Sequence, residues 1–381
     1  MKILFSISYY HPYISGLSLA ALRWAEGLAQ MGDTVTVLCM QHDTSLPSVA
    51  RVRKVRIHRA SWIVRISKGF LSFDWVVQSW RLVQKNDVAV IHVPQLEGLV
   101  VALVAKLLGK RVVSVYHCEL VLPPGQINTI IQSVVEIVHF FILLLSDVVI
   151  TYTRDYANHS RLLNLWRRYT KRTVVCIIPP IPTFLLHNKV TMDIKKRIGK
   201  RDIVIGIAAR LAAEKGIEYV LEALVILQKS MKQRNIKIVI AGPENPVGEQ
   251  AYKKRITSLV KKCAASVVFL GSIEPKDMGS FYTVIDVLVL PSINSTEAFG
   301  MVQVEAMRYG VPVVASDLPG VRVPIQKTGM GIVVPAKNSR ALAEAIATIV
   351  HKKPQYVQGK VMAHTLGREH TSIELFKRAI I

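Results

Sequence analysis

Apolar and polar positions along the chain form two recurring patterns. Short β-branched runs, typical of buried strands, alternate with longer segments that carry apolar residues at helical spacing. In the first half, the runs predict strands over Ile3–Ser8, Thr34–Leu38, Val88–Val93, Val112–Tyr116 and Val148–Thr151. The segments between them predict helices over Leu17–Gln30, Gly98–Leu108 and Thr129–Leu145. This alternation is typical of a parallel sheet covered by helices.

A second series begins after the stiff break Pro179–Pro182 and the polar, lysine-rich stretch Asn188–Arg201. It predicts strands over Ile203–Ala208, Lys237–Ala241, Val267–Leu270, Val287–Leu290, Val311–Ala315 and Gly331–Val334. Helices are predicted over Glu218–Met231, Glu249–Ala264, Met301–Arg308 and Arg340–His351.

The two series predict an α/β fold of two doubly wound, Rossmann-like domains that face each other across a cleft. We expect an N-terminal domain over 1–184, a C-terminal domain over 185–365 and a C-terminal helix over 366–381 that could pack back on the first domain. Ligands of such sheets bind beyond the carboxyl ends of the strands.

The chain of 381 residues is 51% apolar, which is enough for two real cores. Its formal charge is +23, divided as +10 over 1–184 and +13 over 185–381, so no basic tail carries it. A positive body favours anionic partners such as nucleic acid, anionic lipid or phosphorylated substrates. General solubility and a genomic bias toward lysine and arginine explain the charge equally simply.

The cysteines are widely spaced and form no C-x-x-C pair, which favours reduced thiols in a cytoplasmic protein; they are Cys39, Cys118, Cys176 and Cys263. The chain opens directly into a strand pattern, without the charged, then apolar, then small residues of a signal peptide.

The segment Ile127–Leu145 approaches the length of a membrane span, but its polar residues recur at helical spacing. We therefore expect a buried or surface-docking helix rather than a spanning one.

Two carboxylates lie eight residues apart in "STEAFGMVQVEAM", soon after the strand Val287–Leu290. Glu297 falls in the loop before the helix, Phe299, Gly300 and Met301 form its first turn, and Glu305 lies about one turn further on. Free N–H groups at a helix start attract phosphate, and Gly300 lets a ligand approach the backbone. The pair would suit a nucleotide-sugar, with Glu305 on the ribose and Glu297 on the sugar. A helix with an acidic first turn is the plain alternative.

Two cations follow the first strand of the second series. Arg210 and Lys215 lie in the loop after Ile203–Ala208, at the same edge of the sheet as Glu297. Such cations can neutralise a diphosphate and hold a departing nucleotide. The alternative is that they are two solvated residues among 49 basic ones.

The segments "AARLAAEKG", "STEAFGMVQVEAM" and "YGVPVVASDLPGV" resemble the retaining nucleotide-sugar glycosyltransferases of family 4, which have the GT-B fold. The resemblance covers nearly the whole chain and includes both the E-x7-E pair and the R-x4-K pair. It implies that Arg210 and Lys215 bind the donor diphosphate, Glu305 binds the ribose, and Glu297 contacts the sugar near the reaction centre.

The first series agrees with this family in part. "HPYISGL" retains only Gly16 where the family has a Gly-Gly pair, and its amide could still approach the diphosphate. "VYHCE" resembles the histidine motif, which implies that His117 lies where acceptor and donor meet. A lone histidine after a strand is otherwise more often structural. Pro243, after the strand Lys237–Ala241, could line the base or diphosphate pocket.

The resemblance predicts a retaining hexosyltransferase that uses a nucleoside-diphosphate sugar and needs neither cofactor nor metal; no D-x-D pair is present. Glu297 could act as a nucleophile or position the sugar, and we favour positioning. The acceptor is a hydroxyl compound, with a lipid-linked one or a membrane-surface glycan as candidates. Basic clusters around Arg51–Arg65 and Arg167–Arg172, with nearby aromatic residues, favour docking on an anionic bilayer at the cytoplasmic face. A solvated basic surface is the alternative.

Other classes of protein are less compatible with the sequence. A nicotinamide oxidoreductase would need a G-x-G-x-x-G after Ile3–Ser8 or Ile203–Ala208, and neither strand has one. A sugar-nucleotide epimerase or a phosphorylase would share the fold and remains an alternative. Charge alone favours a basic nucleic-acid-binding α/β protein, but no recognisable nucleic-acid-binding motif accompanies it, so no nucleic acid is expected as a partner.

Overall fold

The computed structural model describes residues 1–66, 69–199, 201–244, 249–261 and 266–381. It contains two compact units, which we describe separately. The first unit combines Met1–Pro180 with Gly367–Ile381, and the second is Ile181–Leu366. The chain thus passes into the second unit and returns to the first for its last residues.

The strands lie in two large sheets, one mostly and one entirely parallel, and one small hairpin. In chain order they are β1 Lys2–Ser6, β2 Thr34–Met40, β3 Val49–Val52, β4 Val55–Ala60, β5 Val64–Ile66, β6 Gly69–Leu71, β7 Val88–Val93, β8 Arg111–Tyr116, β9 Val148–Thr151, β10 Val175–Cys176, β11 Ile203–Ala208, β12 Ile236–Ala241, β13 Val267–Gly271, β14 Val287–Leu290, β15 Val313–Ser316 and β16 Gly331–Val334.

The helices connect these strands. In chain order they are α1 Gly16–Gln30, α2 Phe73–Lys85, α3 Gly98–Leu107, α4 Gln126–Leu145, α5 Arg154–His159, α6 Arg161–Thr170, α7 Asn188–Ile198, α8 Ile217–Ser230, α9 Gln250–Lys261, α10 Met278–Tyr282, α11 Met301–Arg308, α12 Val323–Thr328, α13 Ser339–His351, α14 Lys360–Thr365 and α15 Glu369–Ile380.

The first unit is built on an eight-stranded sheet in the order β10-β9-β8-β7-β1-β2-β4-β3. Its neighbouring strands are parallel except for β3 and β4, which form an antiparallel hairpin at one edge. The last helix, α15, packs on α1, and Phe376 stacks on Trp24 with ring centroids 4.6 Å apart. This aromatic contact fixes the end of the chain to the first unit.

The second unit has a six-stranded parallel sheet in the order β13-β12-β11-β14-β15-β16. Both faces of β11 are buried, since Ile205 packs in one apolar cluster and Val204 in another. A parallel sheet buried on both faces explains the near-continuous apolar runs in the sequence. The loops after β11 and β14 emerge side by side because these two strands are neighbours.

Some features differ from the sequence predictions. The polar stretch Asn188–Arg201 contains the helix α7, which buries Ile194 and Ile198. The helix predicted over Glu249–Ala264 is α9. Residues 262–264 of the prediction, which include Cys263, lie outside the described residues. The sequence analysis did not predict β3 to β6, β10, α2, α5, α6, α10, α12 and α14.

The first basic cluster is not a uniform docking surface. Arg59 is buried and donates hydrogen bonds to the carbonyls of Pro47 and His11. Trp75, one of the nearby aromatic residues, is buried as well, and its indole donates to the carbonyl of Glu97. These two side chains therefore stabilise the first unit and cannot contact a membrane.

Candidate active site

The loop after β11 carries both predicted cations. Arg210 forms an ion pair with Glu214, four residues later. A short 3₁₀ turn over Ala213–Lys215 then leads to Gly216, whose φ of 60° lies in the left-handed region. The turn ends the loop directly at the start of α8, so Lys215 is held at the carboxyl-terminal edge of the sheet.

Gly216 allows this loop to approach the loop after β14. A Cβ at Gly216 would lie 2.3 Å from the carbonyl oxygen of Pro291, which is closer than any side chain tolerates. One backbone hydrogen bond joins the loops, from the amide of Ile293 to the carbonyl of Glu214, at 3.0 Å. The two loops are therefore fixed to each other by main-chain contacts.

This contact brings Lys215 and Glu297 together. The Lys215 Nζ lies 2.6 Å from the Glu297 Oε2, and the two side chains are only 18% and 15% exposed. Ser292 also donates to the same carboxylate oxygen, at 3.3 Å. A pair this far from bulk water is held more firmly than a surface ion pair, and each charge would be costly without its partner.

The loop containing Glu297 ends at the start of α11. Gly300, with φ of 73°, is the residue before the first helical position, Met301. The amide of the buried Gln303 side chain donates to the carbonyls of Phe299 and Val321, both at 2.9 Å. Phe299 itself is buried, so its side chain is not available to a ligand.

Glu305 lies in the middle of α11 and is 5% exposed. The hydroxyl of Tyr282, a buried residue at the end of α10, donates to the Glu305 Oε2 at 2.7 Å. This hydrogen bond sets the direction of the carboxylate. Glu305 is thus held separately from the pair of Lys215 and Glu297.

Pro243 lies beside Arg210. The amide of Leu211 donates to the Pro243 carbonyl at 3.0 Å, and a Cβ at Gly242 would lie 2.1 Å from the carbonyl oxygen of Ala209. The loops after β11 and β12 are therefore packed backbone to backbone. Three neighbouring strands place Arg210, Lys215, Glu297 and Pro243 at one edge of the sheet.

In the first unit, Gly16 is the first residue of α1. Ser15 and Ser18 form a capping box, in which the Ser15 hydroxyl accepts from the Ser18 amide at 3.1 Å and Ser18 Oγ accepts from the Ser15 amide at 2.8 Å. This cap satisfies two backbone donors at the helix start with side chains of the protein. Gly16 is exposed beside the cap.

His117 lies at the end of β8, within a buried network of polar side chains. Its Nε2 is 2.8 Å from His92 Nδ1, and its Nδ1 forms a hydrogen bond with the hydroxyl of Tyr152. Burial, and then the neighbouring His92, holds the pKa of His117 well below its usual value. Burial lowers the pKa of His92 to about 3, so both imidazoles are neutral at physiological pH. With 2% of its surface exposed, His117 uses both ring nitrogens within the first unit.

Four residues important for this geometry were not predicted from the sequence. Glu214 lies at i+4 from Arg210, a spacing that could have indicated the ion pair. Ser292, Gln303 and Tyr282 contribute through contacts that no local pattern indicates. Within the described ranges, no group of three or more His, Cys, Asp or Glu residues has the arrangement of a metal site.

Replacing Tyr282 with phenylalanine tests whether Glu305 is positioned for a ligand. The change removes the hydrogen bond that orients the Glu305 carboxylate, so the carboxylate must be ordered when the ribose binds. Because such a bond is worth about 1.5 kcal/mol, we expect the Kd for the nucleotide to rise by up to about tenfold. Isothermal titration calorimetry with the nucleoside diphosphate would measure it. Tyr356→Phe, which removes a half-buried phenol of the same unit, should leave the Kd unchanged. Equal Kd values for wild type and Tyr282→Phe would refute this role.

Comparisons with known proteins identify the family. The family model "Glycosyl transferases group 1" matches residues 189–360, and "Glycosyltransferase Family 4" matches residues 14–179. The chain belongs to the family 4, or group 1, glycosyltransferases. The resemblance seen in the sequence motifs is thereby confirmed.

Solved structures with low sequence identity share the fold along the whole chain. Sucrose-phosphate synthase from Thermosynechococcus elongatus is 20% identical with a TM-score of 0.77, over 99% of this chain and 97% of that one. Anabaena Alr3699/HepE in complex with UDP-glucose is 18% identical with a TM-score of 0.75, over 99% and 98%. The predicted fold class, GT-B with two Rossmann-like domains, is confirmed.

Curated relatives match over shorter segments. D-inositol 3-phosphate glycosyltransferase of Corynebacterium glutamicum is 27% identical over 149 residues, which is 39% of this chain and 35% of the relative. The matched segments span between 34% and 39% of the length of the first relatives. These matches therefore reach only part of each relative.

Proposed function

We propose that the protein transfers a hexose, with retention of configuration, from a nucleoside-diphosphate sugar to a hydroxyl acceptor. The ion pair of Lys215 and Glu297 is the observation that carries this proposal, since it joins a diphosphate-binding cation to a sugar-binding acid. Arg210 and Pro243 lie at the same edge of the sheet. The structure of Anabaena Alr3699/HepE with UDP-glucose supports a donor of this class.

Each site residue has a separate role in the proposed complex. Arg210 and Lys215 neutralise the diphosphate, and Glu305, oriented by Tyr282, accepts hydrogen bonds from the ribose. In this proposal the phosphates lie next to the start of α11 at Phe299, Gly300 and Met301, where the positive end of the helix dipole favours their charge. Glu297 accepts hydrogen bonds from hydroxyls of the sugar. The two cations carry the charge, so the proposal needs neither a metal ion nor a cofactor.

In the transfer step, the bond between the anomeric carbon and the β-phosphate oxygen breaks, and its electron pair goes to that oxygen. Arg210 and Lys215 stabilise the negative charge that develops on this oxygen. Such electrostatic stabilisation is usually the largest single contribution to catalysis. The acceptor oxygen attacks the anomeric carbon from the face that the phosphate leaves. Because attack and departure use the same face, the product keeps the configuration of the donor. The proton of the acceptor hydroxyl passes to the departing phosphate oxygen.

The first unit supplies the acceptor side in this proposal. Gly16 is exposed at the start of α1, and in this proposal its amide approaches the donor diphosphate. His117 lies at the carboxyl end of β8, and its neutral imidazole adds no charge near the acceptor.

We also propose that the acceptor is a lipid-linked hydroxyl or a glycan at the cytoplasmic face of a membrane. The exposed basic residues Arg168 and Lys171 support this location, since they attract anionic lipid.

A screen of UDP-, GDP- and ADP-sugars for thermal stabilisation tests the proposal. A ligand at 100 times its Kd stabilises the folded state by about 2.7 kcal/mol, so we expect the melting temperature of the second unit to rise by several degrees with one donor class. Duplex DNA at the same concentration should give no comparable shift. Stabilisation by DNA but by no nucleotide-sugar would overturn the proposal. Donor turnover without any acceptor would instead favour an epimerase.

A further inference from the structure

The helix α4 exposes a row of apolar side chains, which is unusual for a surface helix. The apolar side chains on one side point away from the first unit, with exposed fractions of 74% for Ile127, 65% for Ile130, 53% for Val134, 57% for Ile137 and 51% for Phe141. The buried residues on the other side are Val135, His139, Ile142 and Leu143. Surface helices of globular proteins bury such residues and expose their polar ones. The outward face of α4 is therefore an apolar surface in contact with water unless something covers it.

The polar face of α4 is fixed to the first unit. Gln132 accepts a hydrogen bond from the amide of Leu122 at 3.1 Å, and Glu136 pairs with Arg161 at 2.6 Å. Buried His139 accepts from the amide of Gln95 at 3.2 Å, and burial lowers its pKa to about 4, so it remains neutral. By length and composition alone, α4 is apolar enough to cross a membrane. Crossing would break all three polar contacts, so α4 is better suited to lie along a surface.

The apolar surface extends onto the neighbouring helices of the same layer. α3 contacts both α2 and α4, and α6 contacts α4 on its other side. α3 adds Leu103 and Leu107, while Trp80 on α2 and Tyr169 on α6 are exposed at the two margins. Contiguous exposed apolar patches mark interaction sites, and aromatic side chains at the margins are typical of a membrane interface.

Charge distinguishes between the occupants that could cover this surface. The helices α2, α3, α4 and α6 contain six basic and two acidic residues. The only charged residue of α4 is Glu136, on its polar face, so the basic residues surround the apolar strip rather than interrupt it. A second copy of the chain would bring two bodies of charge +23 together, which electrostatic repulsion opposes. An anionic bilayer attracts the basic margin and accepts the apolar strip.

We propose that the outward face of α4 inserts into the headgroup region of an anionic bilayer, with the helix parallel to the membrane plane. The 20 residues of α4 form a strip about 30 Å long, and insertion of about 5–10 Å would cover its apolar side chains. Arg168 on α6, and Lys171 and Arg172 just after it, contact lipid phosphates beside the strip. The membrane-surface acceptor of the proposed function thereby gains a docking element, which does not depend on the donor.

Flotation with vesicles tests this proposal. We expect the wild-type protein to float with vesicles of phosphatidylcholine and phosphatidylglycerol (3:1) at low salt, and less in 1 M salt or with pure phosphatidylcholine. The double variant Ile130→Gln/Ile137→Gln should bind at least tenfold more weakly. Its matched control is Met192→Gln/Val361→Gln, which changes two exposed apolar residues on helices of the second unit and should bind like wild type. Neutral glutamines keep the net charge, so any difference reports apolar insertion.

Three outcomes would overturn the docking proposal. The first is that the wild-type protein does not float at low salt, and the second is that the α4 variant floats like wild type. The third is that light scattering shows a concentration-dependent dimer for the wild-type protein but not for the α4 variant. Thermal stabilisation by the nucleotide-sugar is measured on the same samples. If the α4 variant no longer floats but is still stabilised by the nucleotide-sugar, the variant is folded and the loss of flotation is due to α4. If the donor proposal is wrong, the nucleotide-sugar does not stabilise the wild-type protein, but the wild-type protein still floats.

Discussion

Replacing Lys215 with methionine is expected to lower kcat/KM for sugar transfer by about 10²–10³-fold. Methionine keeps the length of the side chain but removes the cation that stabilises the departing diphosphate. The effect should be large because Lys215 is only 18% exposed, so little water is present to screen its charge. The loss should appear both in turnover and in the Kd for the nucleoside diphosphate.

Lys229→Met is the matched control, since Lys229 is an exposed lysine of the same unit, near the end of α8. This variant removes the same charge as Lys215→Met, but at a position away from the loop after β11. If Lys215→Met retained wild-type kcat/KM, Lys215 would not bind the diphosphate. Equal losses in both variants would instead indicate a general effect of net charge.

Glu297→Ala should separate turnover from nucleotide binding. We expect kcat to fall by about 10²–10³-fold, because the sugar loses the acid that orients it at the reaction centre. The Kd for the nucleoside diphosphate should stay equal or fall, because Lys215 no longer has Glu297 at 2.6 Å and its charge is available to the phosphates. Steady-state kinetics and calorimetry measure the two quantities separately.

Two variants provide the comparison for Glu297→Ala. Glu305→Ala should show the opposite pattern, with a weaker Kd for the nucleotide, because the ribose loses its acceptor. Glu274→Ala removes an exposed acid that forms an ion pair with the surface residue Lys276 in the same unit, and it should change neither quantity. Sugar transfer that is unimpaired in Glu297→Ala would contradict the role assigned to this residue.

The sequence predicted the strands near the site well because each is buried on both faces. The run Ile203–Ala208 is β11 as predicted, and Val287–Leu290 is β14. Motif spacing then placed Arg210, Lys215 and Glu297 in the loops after these two strands. Since neighbouring parallel strands end at one edge, their proximity follows from topology.

Other features depend on contacts that sequence spacing does not indicate. The helix α7 buries only a narrow strip that includes Ile194 and Ile198, and the surrounding lysines obscure this periodicity. The turn between β3 and β4 has Arg53 and Lys54 at positive φ, where a pattern search expects glycine or asparagine. Tyr282 lies 23 residues before Glu305, so no local pattern links them.

The orientation of α4 shows a further limit of periodicity. The pattern correctly indicated an amphipathic helix, but an amphipathic pattern does not determine which face is buried. The usual rule places apolar residues inward. Here the inward face combines His139, which accepts from the amide of Gln95, with the apolar Val135, Ile142 and Leu143, and other apolar residues remain on the outward face.

A crystal structure with the nucleoside diphosphate of the preferred donor would test the central claim most directly. We expect the diphosphate within hydrogen-bonding distance of Arg210 and Lys215, and the ribose hydroxyls on Glu305. Lys215 should then have moved part of its contact from Glu297 to a phosphate oxygen. A nucleotide bound elsewhere, with the ion pair of Lys215 and Glu297 unchanged, would contradict the account.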